Sequence, residues 1–215
     1  MQKIYVVDDH PLIRLGYAHL IGEQPDLTLC GEASSAAQAL EEIPHAKPDL
    51  VITDISLKGM NGIELVKQLQ AQDPDLPILV VSIHDEMLYA ERALCAGARG
   101  YLTKCNMDKT IIGAIRCMLE GGYCFSEEVN RKIYLRCQGK NDDGDVPALG
   151  QLTDRELEVF ERYGDGLSTR QIAEALNISP KTVETHRGRI KQKLALDTST
   201  AMLQQAVQWV QEQRH

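Results

Sequence analysis

The sequence alternates, through its first 120 residues, between short apolar runs and stretches of helical length. The apolar runs are rich in β-branched side chains, which is typical of strands buried on both faces of a sheet. The stretches between them are long enough for helices that cross from one strand to the next. The predicted strands are 4–7, 27–30, 50–53, 78–81 and a weaker 100–102, and the predicted helices are 11–24, 35–44, 62–72, 85–96 and 108–120.

Strands and helices in alternation predict a parallel sheet with right-handed crossovers and helices on both faces. We therefore predict an α/β fold with a doubly wound, five-stranded parallel sheet in the flavodoxin-like order 2-1-3-4-5. In that order the first and third strands are neighbours at the point where the strand order reverses. Ligands of such sheets bind there, beyond the carboxyl ends of the strands.

The pattern changes after residue 122. Ser126 is placed as the N-cap of one further helix with Glu128 in its first turn, and residues 137–150 are rich in Gly, Asp and Pro, as in a linker. The remainder is wholly helical, with Thr153 and Glu156 spaced as a capping box. We predict a first domain at 1–122 and a segment at 123–147 that contains a helix at 126–136 and the linker. An all-α four-helix domain follows at 148–215, with helices at 153–165, 168–176, 179–194 and 198–211.

Composition excludes several classes of protein. Hydrophobic residues make up 43% and charged residues 25% of the chain, which is ordinary globular usage rather than that of a collagen-like, coiled-coil or disordered chain. No apolar run approaches the ~18 residues of a membrane helix, and Asp8 and Asp9 come too early for a signal peptide. The six cysteines form no CxxC pair. We expect a cytoplasmic protein with free thiols and no membrane partner.

Acidic side chains follow two neighbouring strands of the predicted sheet. Asp8 and Asp9 come directly after the first strand, and Asp54 ends the third. Because the carboxyl ends of these strands meet at one edge, we expect the three carboxylates to converge. Like charges gathered in this way require a cation or bound protons. Carboxylate ligands with open positions favour Mg²⁺.

Two further polar residues fall on the same edge, because Ser82 closes the fourth strand and Lys104 follows the fifth. A carboxylate nucleophile, a metal ion, a hydroxyl and an ammonium are the parts required for phosphoryl transfer to Asp54. Each residue alone has a simpler explanation: Asp9 and Ser82 as helix caps, Asp54 in a turn, Lys104 as a surface lysine. Their joint placement at the strand ends favours the functional interpretation.

Charge is unevenly distributed along the chain. Residues 1–150 hold 14 basic and 22 acidic side chains, a net charge of −8, whereas residues 151–215 hold nine of each. Within the second part, residues 180–193 carry five basic side chains against Glu184 alone, a net charge of +4. Such a segment in an acidic protein indicates a nucleic acid as a candidate partner.

This basic segment belongs to a predicted helix-turn-helix at residues 168–194. Residues 177–179 form the turn, and Ser179 and Pro180 begin the second helix. A basic solvated face in a small bundle is the simpler alternative, but we predict a recognition helix in the major groove, with Lys and Arg on phosphates and Thr or Glu on base edges. The candidate DNA-binding residues are Lys181, Thr182, Glu184, Thr185, Arg187, Gly188, Arg189 and Lys191.

Residues 1–120 resemble the receiver domain of two-component response regulators. The resemblance is carried by Val-Val-Asp8-Asp9, Val-Ile-Thr-Asp54-Ile, Val-Val-Ser82 and Gly-Ala-Arg-Gly-Tyr101-Leu-Thr-Lys104. It implies that Asp54 takes a phosphoryl group from a sensor histidine kinase. It further implies that Asp9, Asp54 and the Ser56 carbonyl hold Mg²⁺, with Asp8 acting through water. Ser82 would form a hydrogen bond to the phosphoryl group, and Lys104 would neutralise its charge. Tyr101 would turn inward as the switch aromatic.

Residues 148–213 resemble LuxR-type DNA-binding domains, in Leu152-Thr-Asp-Arg-Glu-Leu-Glu-Val and Ser179-Pro-Lys-Thr-Val-Glu-Thr-His. Together the two domains resemble the NarL/FixJ class, which implies a phosphorylation-dependent regulator that binds promoter DNA as a homodimer at paired half-sites. We expect part of the apolar stripe of the last helix to cover the domain's own core and the remainder to pair two DNA-bound copies. The stripe consists of Met202, Leu203, Ala206, Val207, Trp209 and Val210.

Two rival functions remain open. An Mg²⁺-dependent phosphatase that works through an aspartyl-phosphate needs a second acid two residues after the nucleophile, where this chain has Ser56. We therefore expect no enzyme activity beyond the receiver's own phosphorylation and dephosphorylation. The second rival is a regulator whose receiver responds to a ligand or partner without phosphorylation.

Overall fold

The computed structural model describes residues 1–104, 107–137 and 148–213. The chain forms two compact units, Met1–Gly139 and Lys140–His215. The predicted linker lies almost wholly outside the described residues, so the domain boundaries stay a prediction.

The first unit is built on a five-stranded parallel sheet in the order β2-β1-β3-β4-β5, which confirms the predicted fold class. Strand β2 extends three residues beyond its predicted end at Cys30, because its pairing with β1 continues as far as Val7 and Ala33. The elements are β1 (Gln2–Val7), α1 (Pro11–Gly22), β2 (Leu27–Ala33), α2 (Ala36–Ala46), β3 (Leu50–Thr53), α3 (Gly62–Gln72), β4 (Ile78–Ser82), α4 (Glu86–Ala96), β5 (Gly100–Thr103), α5 (Met107–Leu119) and α6 (Glu127–Cys137).

The central strands carry the core of this unit. Every residue of β3 and β4 is buried, as are the last four of β1, because helices cover both faces of the sheet. Side chains of α1 and α5 close one face of this core. The core on that side consists of Ile4, Val6, Tyr17, Ile21, Leu27, Leu50, Ile52, Leu79, Val81, Ile111, Ala114, Ile115 and Met118.

The register of the sheet aligns the ends of the strands. Val7 is paired with Thr53 across β1 and β3, and Ser82 with Thr103 across β4 and β5. The residue after each strand therefore leaves the sheet at the same edge. The backbone N–H of Asp54 donates to the Val7 carbonyl at 2.9 Å, which fixes the start of the loop after β3.

The segment after α5 extends the first unit along β5. Cys124 forms an isolated bridge with Gly100, and its carbonyl accepts from the Tyr101 N–H at 2.8 Å. Ser126 caps α6 as predicted, since its hydroxyl accepts from the Val129 N–H at 3.2 Å. Helix α6 then packs on α4, where Lys132 donates to the Met87 carbonyl at 3.2 Å.

The second unit is all-helical. A short 3₁₀ helix (Ala148–Gln151) precedes α7 (Asp154–Gly164), α8 (Thr169–Leu176), α9 (Pro180–Lys193) and α10 (Ser199–Gln213). The predicted capping box of Thr153 and Glu156 is confirmed at the start of α7, and Ser168 with Gln171 forms a second one at α8. Within the described part of the chain, no helix combines the length and apolar character needed to cross a membrane.

Candidate functional site

The predicted acids meet at the carboxyl edge of the sheet. Asp8 and Asp54 are buried, at 1% and 3% exposure, while Asp9 is partly exposed. One ligand atom from each of these carboxylates and one from His10 all lie within 4.8 Å of one another. The arrangement brings together side chains that are 46 residues apart in the sequence, because β1 and β3 are paired and end side by side.

Lys104 joins the two buried carboxylates. Its Nζ donates to Asp8 Oδ2 and to Asp54 Oδ2, both at 2.7 Å. Burial alone would lower the pKa of Lys104, but the charges and hydrogen bonds of Asp54 and Asp8 outweigh it, so the pKa is raised. The lysine is therefore charged and balances one of the two buried negative charges.

The remaining oxygens suit a cation. Asp54 Oδ1 is buried and has no hydrogen-bond partner among the described residues. A buried carboxylate oxygen without a partner is costly unless an ion or a reacting group completes it. The donor set is one of hard carboxylate oxygens at the open end of a sheet, which fits Mg²⁺.

Two residues that the sequence analysis missed hold the backbone of the site. Arg14 Nη1 donates to the Asp8 carbonyl at 2.7 Å. Gly62 packs so closely against the loop after β3 that a Cβ at this position would lie 1.9 Å from the Asp54 carbonyl oxygen. A glycine at the first helical position directly after the Asn61 cap was the available signal, because glycine is unfavourable within a helix.

The predicted switch residues lie beside the acids. Ser82 is fully buried, and its hydroxyl accepts from the His84 N–H at 3.3 Å. Tyr101 already points inward, at 1% exposure, and its hydroxyl donates to the His84 carbonyl at 2.9 Å. Burial raises the pKa of Tyr101 well above its ordinary value, so the side chain is a neutral donor.

His84 links these elements and was not identified from the sequence, where no motif marks it. Its Nε2 lies 2.8 Å from the Ser56 hydroxyl, two residues after Asp54. Its ring stacks on Tyr89 of α4 with centroids 4.8 Å apart. The loop after β4 is therefore bonded to the Asp54 loop on one side and to Tyr101 on the other.

In the second unit, α8 and α9 form the predicted helix-turn-helix. Asn177 ends α8 in the left-handed region at φ 52°, where asparagine is tolerated. Ser179 caps α9 by accepting from the Thr182 N–H at 3.0 Å, and Pro180 is the first helical residue. Val183 and Ile190 are buried against the other helices, which leaves the opposite face of α9 exposed.

The candidate DNA-binding residues divide into exposed and internally bonded groups. Arg187 Nη2 donates to the Tyr163 hydroxyl at 2.8 Å, and its guanidinium lies 4.3 Å from the centre of that ring. Glu184 accepts from Arg187 and from Thr169, both at 2.7 Å. The Thr169 hydrogen bond and the charge of Arg187 lower the pKa of Glu184. Lys181, Glu184, Thr185, Gly188 and Arg189 are exposed, while Thr182, Arg187 and Lys191 are partly buried.

A further basic residue of α9 is structural. Lys193 Nζ donates to Glu156 Oε2 at 2.6 Å and to the Gln151 carbonyl at 3.1 Å. Glu156 is 2% exposed; burial alone would raise its pKa, but the hydrogen bonds from Lys193 and Thr153 lower it overall. By contrast, the side chains of Lys181, Arg189 and Lys191 form no hydrogen bond or ion pair within the described ranges.

Comparisons with known proteins match both units. Residues 4–116 match the family described as response regulator receiver domain, and residues 150–208 match the family described as bacterial regulatory proteins, luxR family. The transcriptional activator protein ExaE of Pseudomonas putida is 36% identical over 206 residues, covering 95% of each chain. The transcriptional regulatory protein UhpA of Salmonella typhimurium is 34% identical over 203 residues, covering 94% of this chain and 96% of the relative.

A solved structure adds support for the fold. RcsB from Salmonella enterica serovar Typhimurium, bound to promoter rprA in the presence of phosphomimetic BeF₃⁻, aligns with a TM-score of 0.65 at 22% identity. The alignment covers 94% of this chain and 96% of that one. At this identity the likeness concerns the fold alone.

Proposed function

The chain is a response regulator of the NarL/FixJ class, with a receiver domain and a LuxR-type DNA-binding domain, and from this premise we propose that phosphorylation of Asp54 switches its binding to DNA. Transcriptional regulation itself follows from membership of the family. The observation that carries the proposal is the pairing of Lys104 with Asp8 and Asp54 next to the free Asp54 Oδ1.

The reaction uses the free oxygen of Asp54. Asp54 Oδ1 forms the bond to phosphorus while the phosphorus–nitrogen bond to a histidine of the sensor kinase breaks, and the departing imidazole takes up a proton. Lys104 offsets the charge of the new phosphoryl oxygens. Asp9, Asp54 and the Ser56 carbonyl would hold Mg²⁺, with Asp8 acting through water, and the ion supplies positive charge that screens the phosphoryl group.

The new group adds a charge of about −1.5 to −2 at the edge of the sheet. The Ser82 hydroxyl turns from the His84 N–H to a phosphoryl oxygen. Because Tyr101 is bonded to the His84 carbonyl, this rearrangement reaches Tyr101 and the start of α4. The two arrangements of this loop are the bistable element that the modification biases.

The output is DNA binding through α9. Lys181, Arg189 and Lys191 contact phosphates, Thr185 and Glu184 face base edges, and Gly188 permits close approach to the groove. Thr182 and Arg187 support this surface. The least buried part of the α10 stripe, Leu203, Val207 and Trp209, pairs two copies on adjacent half-sites. The protein therefore works in the cytoplasm with a sensor histidine kinase, promoter DNA and a second copy of itself as partners.

A selection of DNA fragments with phosphorylated full-length protein tests this function. The protein is treated with a small phosphodonor and Mg²⁺, and bound fragments are sequenced at two salt concentrations. We expect one enriched sequence with paired half-sites, and an affinity that falls as salt rises. Equal affinity of phosphorylated and untreated protein for the enriched fragment would instead support the rival in which the receiver acts without phosphorylation.

A further inference from the structure

His10 lies at the acidic site but is not among the metal ligands that the family resemblance implies. It is the residue before α1, and its side chain makes no capping hydrogen bond. Its backbone N–H donates to Asp8 Oδ1 at 2.8 Å, which directs the imidazole towards the carboxylates. Nδ1 lies 2.8 Å from Asp9 Oδ1 and 3.3 Å from Asp8 Oδ1.

The contact between His10 and Asp9 is close without being a hydrogen bond. Asp9 Oδ1 is buried and accepts no hydrogen bond from any residue that the structure describes, although Nδ1 is 2.8 Å away. Two ligands on neighbouring positions of an octahedral ion, each ~2.1 Å from it, lie about 3 Å apart. The spacing of Nδ1 from the two oxygens is that of ligands directed at a shared ion.

The hydrogen bonds of Lys104 do not involve the carboxylate oxygens that face His10. Lys104 Nζ donates to Oδ2 of Asp8 and to Oδ2 of Asp54. Oδ1 of Asp54 remains buried and unbonded among the described residues. On this side of the site, Asp9 Oδ1 and Asp54 Oδ1 are therefore the carboxylate oxygens without a hydrogen-bond partner among the described residues, and the contact of His10 Nδ1 with Asp8 Oδ1 is long, at 3.3 Å.

We propose that His10 Nδ1 is a nitrogen ligand of the divalent ion at this site. The inference rests on the proposed function, because it assumes that an ion is held by Asp9 and Asp54. Imidazole favours later first-row ions over Mg²⁺, which prefers oxygen. The site therefore prefers Co²⁺ to Mg²⁺ more strongly than the carboxylates alone would.

Calorimetric titration of the untagged full-length chain with Mg²⁺ or Co²⁺ alone tests the proposal. At pH 8 we expect His10→Ala to weaken Co²⁺ binding about tenfold or more and Mg²⁺ binding less than about twofold. The matched control is His19→Ala, which removes an exposed histidine of α1 whose side chain, among the described residues, is paired with Glu23 alone. The visible absorption of bound Co²⁺ should change in His10→Ala and not in His19→Ala.

The outcomes separate this proposal from the function on which it rests. Equal weakening of both ions, tighter binding of both, or unchanged Co²⁺ binding in His10→Ala would overturn the nitrogen ligand. Asp9→Asn should weaken both ions, and if it leaves Mg²⁺ binding unchanged, the metal site of the proposed function is itself wrong.

Discussion

The acidic edge of the sheet and the basic helix α9 use charge in different ways. At the sheet edge, the charges of Asp8 and Asp54 are buried and joined by Lys104, so structure and chemistry depend on the same groups. On α9 the two roles are carried by different residues: Arg187 is bonded internally, whereas Arg189 is exposed. A charge that the fold already satisfies has a structural role, and a charge left in solvent is available for a partner.

Because of this difference, the number of basic residues on α9 overstates the number that are available to a partner. The helix carries five basic residues and one acidic residue. Arg187 is paired with Glu184, and Lys193 with Glu156. Three basic residues are then left for the proposed contacts with DNA phosphates. They are Lys181, Arg189 and Lys191.

The largest effect is expected at the edge of the sheet, for Gly62→Ala. The new Cβ would collide with the Asp54 carbonyl, so we expect a loss of about 3 kcal/mol in the free energy of unfolding together with loss of phosphoryl uptake. Urea unfolding followed by circular dichroism measures the first, and acid-labile phosphate the second. Gly113→Ala in α5 is the control, since a Cβ there meets nothing within 4 Å and should stabilise by up to about 1 kcal/mol. Equal behaviour of the two variants would contradict the close approach.

The division of roles on α9 is tested by the pair Arg187→Ala and Arg189→Ala. Removing Arg187 breaks bonds to Tyr163 and Glu184, which should cost about 2 kcal/mol of stability. Removing Arg189 should change stability by less than about 0.5 kcal/mol but reduce the slope of log affinity against log salt by about one. If Arg187→Ala unfolds at the same urea concentration as the wild type, the structural role of Arg187 is wrong.

The Glu156–Lys193 pair should make the second unit sensitive to acid. The pKa of Glu156 is lowered on folding, so its contribution to stability is complete above the unfolded value of about 4.3 and is lost as pH falls through the folded value. We therefore expect Glu156→Gln to be about 1 kcal/mol less stable than the wild type at pH 7, and the difference to shrink as the pH falls below the unfolded value and through the folded one. The fluorescence of Trp209, the single tryptophan of the chain, follows this unfolding. A difference that stays constant with pH would exclude the pair as its cause.

The smallest expected effects are those of Gly188→Ala, which should raise stability and lower the affinity for DNA. Gly188 is exposed on α9, and a Cβ there meets nothing within 4 Å. Gly188→Ala should stabilise the second unit by about 0.5–1 kcal/mol and weaken DNA binding, because the methyl group would lie on the surface that we propose approaches the groove. Stabilisation without loss of affinity would move the contact surface away from this face of the helix.

Local pattern was sufficient to predict the fold and the core of the candidate site. Strand ends can be located from apolar runs, and parallel strands bring their ends to one edge, so Asp8, Asp54 and Lys104 could be placed together from sequence. The internal bonds of Arg187 could not be foreseen, because Tyr163 and Thr169 reach it only after three helices pack. The packing of Gly62 against Asp54 is equally non-local, since it depends on how the loop after β3 turns.

The proposed function depends above all on Asp54 as the residue that receives the phosphoryl group. Intact mass spectrometry of the full-length chain, after incubation with a small phosphodonor and Mg²⁺, measures this directly. The wild type and Asp75→Asn, a control at an exposed acid of the same domain, should each gain the mass of one phosphoryl group, whereas Asp54→Asn should gain none. Uptake by Asp54→Asn at the level of the wild type would show that another residue receives the phosphoryl group.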